Sequence, residues 1–153
     1  MVSYKSDVDA KEAFSEYLSN KGFKNIKIVS KPSDIIAYKG KDKYYFEIKK
    51  TDRKERYFGG ATTTEWKAAL ENPDRYFFVI CVKRNNLWQF TQYTPEEFMK
   101  FSTIPPFKVY FSVPLSEKEK GKKINRISAI QATKDNLFKL INFYESLKKL
   151  KDK

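Results

Sequence analysis

Histidine is absent from this chain of 153 residues, and cysteine occurs once, as Cys81. Without histidine the chain cannot build a histidine-containing catalytic triad or the usual zinc ligand sets. A single cysteine excludes an internal disulfide framework and fits a reducing compartment. Hydrolytic chemistry in this chain would therefore have to use carboxylates, lysines, hydroxyls and a hard metal ion.

Long apolar segments are also lacking. The longest apolar run, residues 76–82, is far too short to cross a bilayer, and residues 1–5 hold no apolar signal core. We therefore expect a soluble, cytoplasmic protein that does not associate with membranes. Because Cys81 lies inside this run, we interpret it as a small buried hydrophobic residue rather than as a nucleophile.

Positive charge is abundant, with 31 lysines and arginines against 19 acidic residues and a net charge of +12. A polyanionic partner is the natural inference, because neutralising phosphates releases counterions and drives association. The alternative is a solvated lysine-rich surface, which the excess of lysine over arginine leaves open. We expect nucleic acid as the partner.

Hydrophobic periodicity predicts an α/β fold of the α+β kind, a mixed sheet flanked by helices. A first helix is expected from Ser6 or Asp7 to about Lys21, with Gly22 after its end. The continuous apolar run at residues 75–82 is typical of a central strand covered on both faces. The other predicted elements are strands at 24–29, 34–38, 43–49, 87–93, 109–113 and 124–130, helices at 63–71, after Thr94 and at 134–149, and a charged loop at 116–123.

The informative part of the sequence is the hairpin that the predicted strands 34–38 and 43–49 form. Asp34 begins the first of these strands, and Glu47 and Lys49 end the second. Glu47 and Lys49 are two residues apart, so their side chains share one face of the strand. Two carboxylates can bind a hard cation such as Mg²⁺ or Mn²⁺, with the Ile48 carbonyl as a further oxygen ligand. Lys49 would then position or deprotonate a water, or stabilise the transition state. The alternative is a surface salt bridge among the three side chains.

On these residues the sequence resembles the PD-(D/E)XK nuclease superfamily, since Asp34 precedes Glu47-Ile48-Lys49 by thirteen positions. Residues 46–51 (FEIKKT), 62–69 (TTTEWKAA) and 74–79 (DRYFFV) look like one branch of it, the NO VEIN-type C-terminal domain. The resemblance covers roughly residues 12–82. Members of that branch commonly have asparagine where this chain has Thr64.

The resemblance implies a restriction-endonuclease-like fold and a metal-dependent nuclease that hydrolyses phosphodiester bonds in DNA, in restriction or defence. It makes Asp34 and Glu47 metal ligands, Lys49 the catalytic lysine, and Mg²⁺ or Mn²⁺ the cofactor. Glu12 on the first helix, with Glu16 as second choice, is the implied additional carboxylate near the metal. A homodimer, or association with a larger helicase or restriction subunit, is compatible with the same resemblance.

The loop after the motif is basic and aromatic, which favours nucleic-acid binding. Its candidate contact residues are Lys50, Arg53, Lys54, Arg56 and Tyr57, with Tyr57 or Phe58 stacking on a base. The alternative is a solvated loop whose aromatic side chains fold back on the core. Just beyond this loop, Glu65 is assigned to a capping box with Thr62, and Trp66 to core packing.

We expect one nuclease-like domain over residues 1–153, with its core at about 6–83 and a C-terminal extension at about 84–153. Two other functions remain open on the same scaffold, a non-catalytic nucleic-acid-binding module and a protein-interaction module. Divalent metal binding would distinguish the nuclease from both, because neither alternative requires paired carboxylates.

Overall fold

The computed structural model describes residues 7–103, 113–122 and 133–151. The chain divides into two compact units between Phe101 and Ser102. The prediction of one domain over residues 1–153 stays a prediction. Among the described residues, no helix combines the length and apolar character needed to cross a membrane.

The first unit is a five-stranded mixed sheet with helices on both faces, so the predicted α+β class is confirmed. The strands follow the order β1-β2-β3-β4-β5 across the sheet. All neighbours pair antiparallel except β3 and β4, which are parallel and are joined through α2. The elements are α1 (Val8–Asn20), β1 (Lys24–Ile28), β2 (Ile35–Lys39), β3 (Asp42–Thr51), α2 (Thr63–Glu71), β4 (Tyr76–Arg84), β5 (Leu87–Tyr93) and α3 (Pro95–Met99).

Turn and cap residues explain why these elements begin and end where they do. Gly40 takes a φ of 64° in the two-residue turn between β2 and β3, a conformation that side chains disfavour. Asn85 and Asn86 have φ values of 52° and 62°, as the tight β4–β5 hairpin requires. Helix α2 begins with the predicted capping box, in which Thr62 and Glu65 bond each other's backbone N–H.

Each face of the sheet carries its own core. Helix α1 packs on one face through Ala10, Phe14 and Leu18, which are at most 1% exposed. Burying a side chain such as Phe14 stabilises the fold by about 1.5–3 kcal/mol. The opposite core lies around α2 and α3 and contains Ala68, Ala69, Tyr76 and Phe78, with Trp66 packed against it.

Strand β4 lies between β3 and β5 and contributes to both cores, which confirms it as an interior strand covered on both faces. Tyr76 and Phe78 face α2, whereas Val79 and Cys81 belong to the core beneath α1. Cys81 is fully buried, and burial raises the pKa of its thiol to about 12. The interpretation of Cys81 as a buried hydrophobic residue is therefore confirmed.

The second unit contains α4 (Glu117–Lys120) and α5 (Lys134–Lys151). Helix α5 confirms the predicted last helix. The charged segment 116–123 was expected to be a loop, yet it contains α4. The Ser116 hydroxyl caps α4, and Lys120 pairs with Glu117 one turn away. The strands expected at 109–113 and 124–130 lie, apart from Val113, outside the described residues.

Candidate active site

The register of the β2–β3 hairpin brings Asp34 across from Glu47. Ile35 pairs with Phe46 in this antiparallel ladder, so the next position outward sets Asp34 opposite Glu47. Directly opposed residues have side chains on the same face, within contact distance. The Asp34 carbonyl accepts a hydrogen bond from the Val29 N–H at 2.8 Å, which closes the preceding loop and fixes the backbone there.

The Asp34 carboxylate is held on both of its oxygens. Oδ2 accepts a hydrogen bond from the Ile48 N–H at 2.8 Å, and Oδ1 lies 3.4 Å from Nζ of Lys11 on α1. In an antiparallel ladder a residue directs both its N–H and its C=O to the same neighbour. The Ile48 carbonyl is therefore directed to the same side of β3 as its N–H, toward β2, and it lies past the last pairing of the two strands.

Glu47 is the buried member of the carboxyl pair, with 8% of its surface exposed. Burial, followed by the hydrogen bond and charge of Asp34, raises its pKa to about 9. The Tyr76 hydroxyl lies 3.5 Å from Oε2 of Glu47, at the limit of a hydrogen bond. Two carboxyls in contact at a buried position cannot both ionise without a compensating cation.

Lys49 follows Glu47 on the same face of β3, and its ammonium is fixed by two hydrogen bonds. Nζ donates to Oε1 of Glu65 at 2.7 Å and to the Gly60 carbonyl at 3.0 Å. Burial alone would lower the pKa of Lys49, but the hydrogen bond and charge of Glu65 raise it. The lysine is thus held as a cation beside the carboxyl pair.

Glu65 is a site residue that the sequence reasoning missed. It was assigned only to the capping box of α2, yet a carboxylate has two oxygens and both are used. Oε1 accepts from Lys49, while Oε2 accepts from the Thr62 N–H at 3.0 Å and contacts the Thr62 hydroxyl. Burial would raise the pKa of Glu65, but the hydrogen bonds from Lys49 and Thr62 lower it. One feature of the sequence could have indicated this role of Glu65. Its capping box directly follows the basic loop that begins after Lys49.

The first helix presents a lysine to the site instead of the expected carboxylate. Glu12 and Glu16 are exposed on α1, and the α1 side chain that contacts Asp34 is Lys11. Because the hydrophobic stripe of α1 is centred on Ala10 and Phe14, Lys11 lies at its border, where a long side chain reaches the sheet edge.

The predicted nucleic-acid contacts divide between two places. Lys50 points to the α1 face, opposite to Lys49, where it pairs with Asp9 at 2.9 Å and lies over the Trp88 ring. Arg53, Lys54, Arg56 and Tyr57 lie on the exposed loop between β3 and α2.

Oxygen donors dominate the site, and oxygen is what Mg²⁺ and Mn²⁺ prefer. Among residues 7–103, 113–122 and 133–151, no three His, Cys, Asp or Glu side chains form a metal-binding group. The available set is two carboxyls in contact, Asp34 and Glu47, with the Ile48 carbonyl beside them. This set fits a hard divalent cation, because such a cation would offset both the burial and the Asp34 charge that raise the pKa of Glu47.

Chemically, the arrangement combines two acidic groups, one fixed ammonium and a second lysine at one edge of the sheet. No curated protein and no solved structure matches the chain. A family model described as Protein NO VEIN, C-terminal, matches residues 9–92, which include α1, all five strands to Gln92, and every site residue named above. Since this match spans more than half of the chain, the protein belongs to the family of the NO VEIN C-terminal domain.

Proposed function

We propose that this domain is a Mg²⁺- or Mn²⁺-dependent nuclease of the PD-(D/E)XK type that hydrolyses phosphodiester bonds in DNA. The observation that carries the proposal is the contact between the Asp34 and Glu47 carboxyls, next to the ammonium of Lys49 on the same strand face. Burying two carboxyls in contact costs the fold stability unless one of them keeps its proton or a cation joins them, so their presence favours a chemical role.

Asp34, Glu47 and the Ile48 carbonyl are the groups that would hold the metal. When bound, a divalent ion lowers the pKa of a coordinated water and neutralises charge on the phosphate. Asp34 is already oriented for such a role, because the Ile48 N–H fixes its Oδ2 atom. Glu47 is 8% exposed and lies against the fully buried Tyr76, so the pair has little contact with solvent at Glu47.

Lys49 supplies positive charge in a fixed direction. An ammonium has three N–H donors, and among the contacts of the described residues Lys49 uses two, to Glu65 and Gly60. The third donor is available to a phosphate oxygen or to an attacking water. A preoriented donor of this kind stabilises charge that develops in the transition state without reorganising first.

The net charge of +12 supports a polyanionic substrate, and the likeness to PD-(D/E)XK nucleases favours DNA over RNA. The likeness to PD-(D/E)XK enzymes supports a setting in restriction or defence, as a homodimer or beside a larger helicase or restriction subunit. Both the setting and the assembly state are part of the proposal.

The test is incubation of the pure protein with plasmid, linear duplex, single strand and RNA, each with Mg²⁺, Mn²⁺ or chelator. Cleavage is expected with either metal and not with chelator, and Asp34→Asn and Lys49→Ala abolish it. The matched control is Asp42→Asn, at a residue of the same hairpin as Asp34 and Lys49. It removes an exposed ion pair with Arg75 and leaves cleavage intact.

Robust cleavage by both purified site variants contradicts the proposal. Calorimetry separates the alternative functions: salt-sensitive DNA binding without divalent metal binding indicates a non-catalytic nucleic-acid-binding module. A partner protein that binds regardless of metal and nucleic acid indicates an interaction module.

A further inference from the structure

The loop between β3 and α2, residues 52–62, exposes a large apolar side chain beside the candidate active site. Phe58 is 96% exposed, whereas its neighbour Tyr57 is 38% exposed. Isolated exposed apolar residues are common on protein surfaces. Phe58 differs from them because the loop that carries it is anchored on both sides of it.

Two sets of hydrogen bonds hold this loop. On one side, Nη2 of Arg84 donates to the carbonyls of Arg53 and Lys54, at 3.4 Å and 3.2 Å. On the other side, Nζ of Lys49 donates to the Gly60 carbonyl at 3.0 Å. The backbone on either side of Phe58 is thus tied to the sheet.

Tyr57 and Phe58 point in different directions. A side-chain carbon added at Gly59 would lie 3.0 Å from the Tyr57 hydroxyl, so the Tyr57 ring is folded back over this glycine. Of the two aromatic residues, only Phe58 offers both ring faces to an external partner.

The surrounding charge selects the class of partner. Residues 52–60 are all exposed and contain three lysines and arginines against two acidic residues, and the Lys49 ammonium adjoins them through its bond to the Gly60 carbonyl. Phosphates neutralise such a segment, while an aromatic ring stacks on a base and tolerates any base identity. Basic side chains interleaved with a free aromatic ring therefore fit a nucleic acid with an unpaired base.

We propose that Phe58 stacks on an unpaired base, in a single strand or in a locally opened duplex, and so fixes the strand relative to Lys49. This inference rests on the proposed action on nucleic acid and specifies its substrate as nucleic acid with an unpaired base. Phe58 precedes Gly60 by two residues, a reach of at most about 7 Å. The stacked base consequently lies within a few nucleotides of the phosphate bound near Lys49.

Binding is measured in chelator, so that cleavage does not interfere, with strands that carry the fluorescent base 2-aminopurine at one position at a time. The arms are a single strand, a fully paired duplex, and a duplex with one unpaired base. Phe58→Ala is compared with Phe58→Trp and with Phe101→Ala, which removes a phenylalanine that is 67% exposed outside the loop.

Phe58→Ala is expected to weaken single-strand binding roughly 5- to 100-fold and to leave its salt dependence unchanged, because stacking and phosphate contacts are separate contributions. Phe58→Trp keeps the affinity and the position-specific fluorescence change, and Phe101→Ala binds as the unaltered protein does. If Phe58→Ala weakens binding only to the duplex with an unpaired base, the stacked base comes from an opened duplex rather than from a single strand.

Equal binding by Phe58→Ala and the unaltered protein on every substrate overturns the inference, as does an equal loss on the fully paired duplex. Failure of the unaltered protein to bind any of the three overturns it as well. Metal-dependent cleavage is scored separately. Phe58-dependent binding without cleavage therefore refutes the proposed nuclease activity and leaves the stacking by Phe58 standing. Cleavage that does not depend on Phe58 refutes the stacking and leaves the nuclease activity standing.

Discussion

At the scale of single residues, Lys11 occupies an oxygen for which a bound divalent metal would compete. Nζ of Lys11 lies 3.4 Å from Oδ1 of Asp34. Metal binding therefore has to displace the ammonium, and Lys11→Met is expected to tighten Mn²⁺ binding roughly twofold to fivefold, as loss of a partly exposed ion pair predicts. Titration calorimetry measures the affinity. Lys41→Met, on the exposed turn of the hairpin, serves as the control. Unchanged or weaker binding by Lys11→Met contradicts the competition.

The raised pKa of Glu47 predicts how stability depends on pH without metal. In the folded protein Glu47 keeps its proton up to about pH 9, whereas its ordinary pKa is 4.5. The folded state then binds more protons than the unfolded state between these values, so stability falls as pH rises through this range. The midpoint of thermal unfolding should fall more steeply between about pH 6 and about pH 8.5 than in Glu47→Gln, by several °C. If the unfolding midpoints of the unaltered protein and of Glu47→Gln change with pH in parallel, the raised pKa of Glu47 is contradicted.

The sequence predicted some of these residues and not others for a physical reason. Asp34, Glu47 and Lys49 are joined by a hairpin whose turn and alternation are local, so their proximity follows from short-range pattern alone. Lys11 and Glu65 reach the site because α1 and α2 pack on the sheet, and no local pattern specifies the rotation of a helix on its face. The resemblance to nucleases favoured Glu12, one position away from the lysine that makes the contact.

At the scale of secondary-structure elements, local signals were sufficient for most boundaries. Each predicted cap or turn lies at the end of an observed helix or strand. These are the caps at Thr62 and Thr94, the Asn85-Asn86 turn, and the Gly40 turn between β2 and β3. The parallel pairing of β3 with β4 is different, because it joins strands separated by a helix and rests on long-range packing. Only a mixed sheet, and not this pairing, was expected from the sequence.

The cap of α2 connects helix stability to the site, which can be tested against a matched helix. Thr62→Ala and Thr94→Ala each remove a capping hydroxyl that accepts from the third helical residue, at a cost of roughly 1 kcal/mol. Both should lower the unfolding midpoint by about 4–8 °C. Only Thr62→Ala also removes a hydroxyl contact from the carboxylate of Glu65, the partner of Lys49, so it alone should slow single-turnover cleavage, roughly tenfold. An equal effect of both variants on cleavage would mean that the cap of α2 acts through stability alone.

At the scale of the whole molecule, the family match and the division of the chain nearly coincide. The match ends at residue 92, and the first compact unit ends at Phe101. All residues of the two cores fall between Ala10 and Phe98, as do the residues of the candidate site. The sequence placed the end of the core at about residue 83, before β5, because the motifs of the resemblance stop there, although β5 completes the described sheet by pairing with β4.

A fragment that ends at Phe101 should therefore fold and bind metal on its own. It retains the five strands, both helical faces and the Asp34–Glu47 pair, so it keeps the apolar burial that stabilises the sheet. We expect a cooperative thermal transition by circular dichroism and an Mn²⁺ affinity within about threefold of that of the full chain. The same fragment with Phe14→Ala is the control, since loss of a fully buried ring costs about 3–5 kcal/mol and should abolish or sharply lower the transition. A fragment that shows no cooperative transition would mean that residues 102–153 are needed to stabilise the sheet, and the unit that carries the site would then be the whole chain.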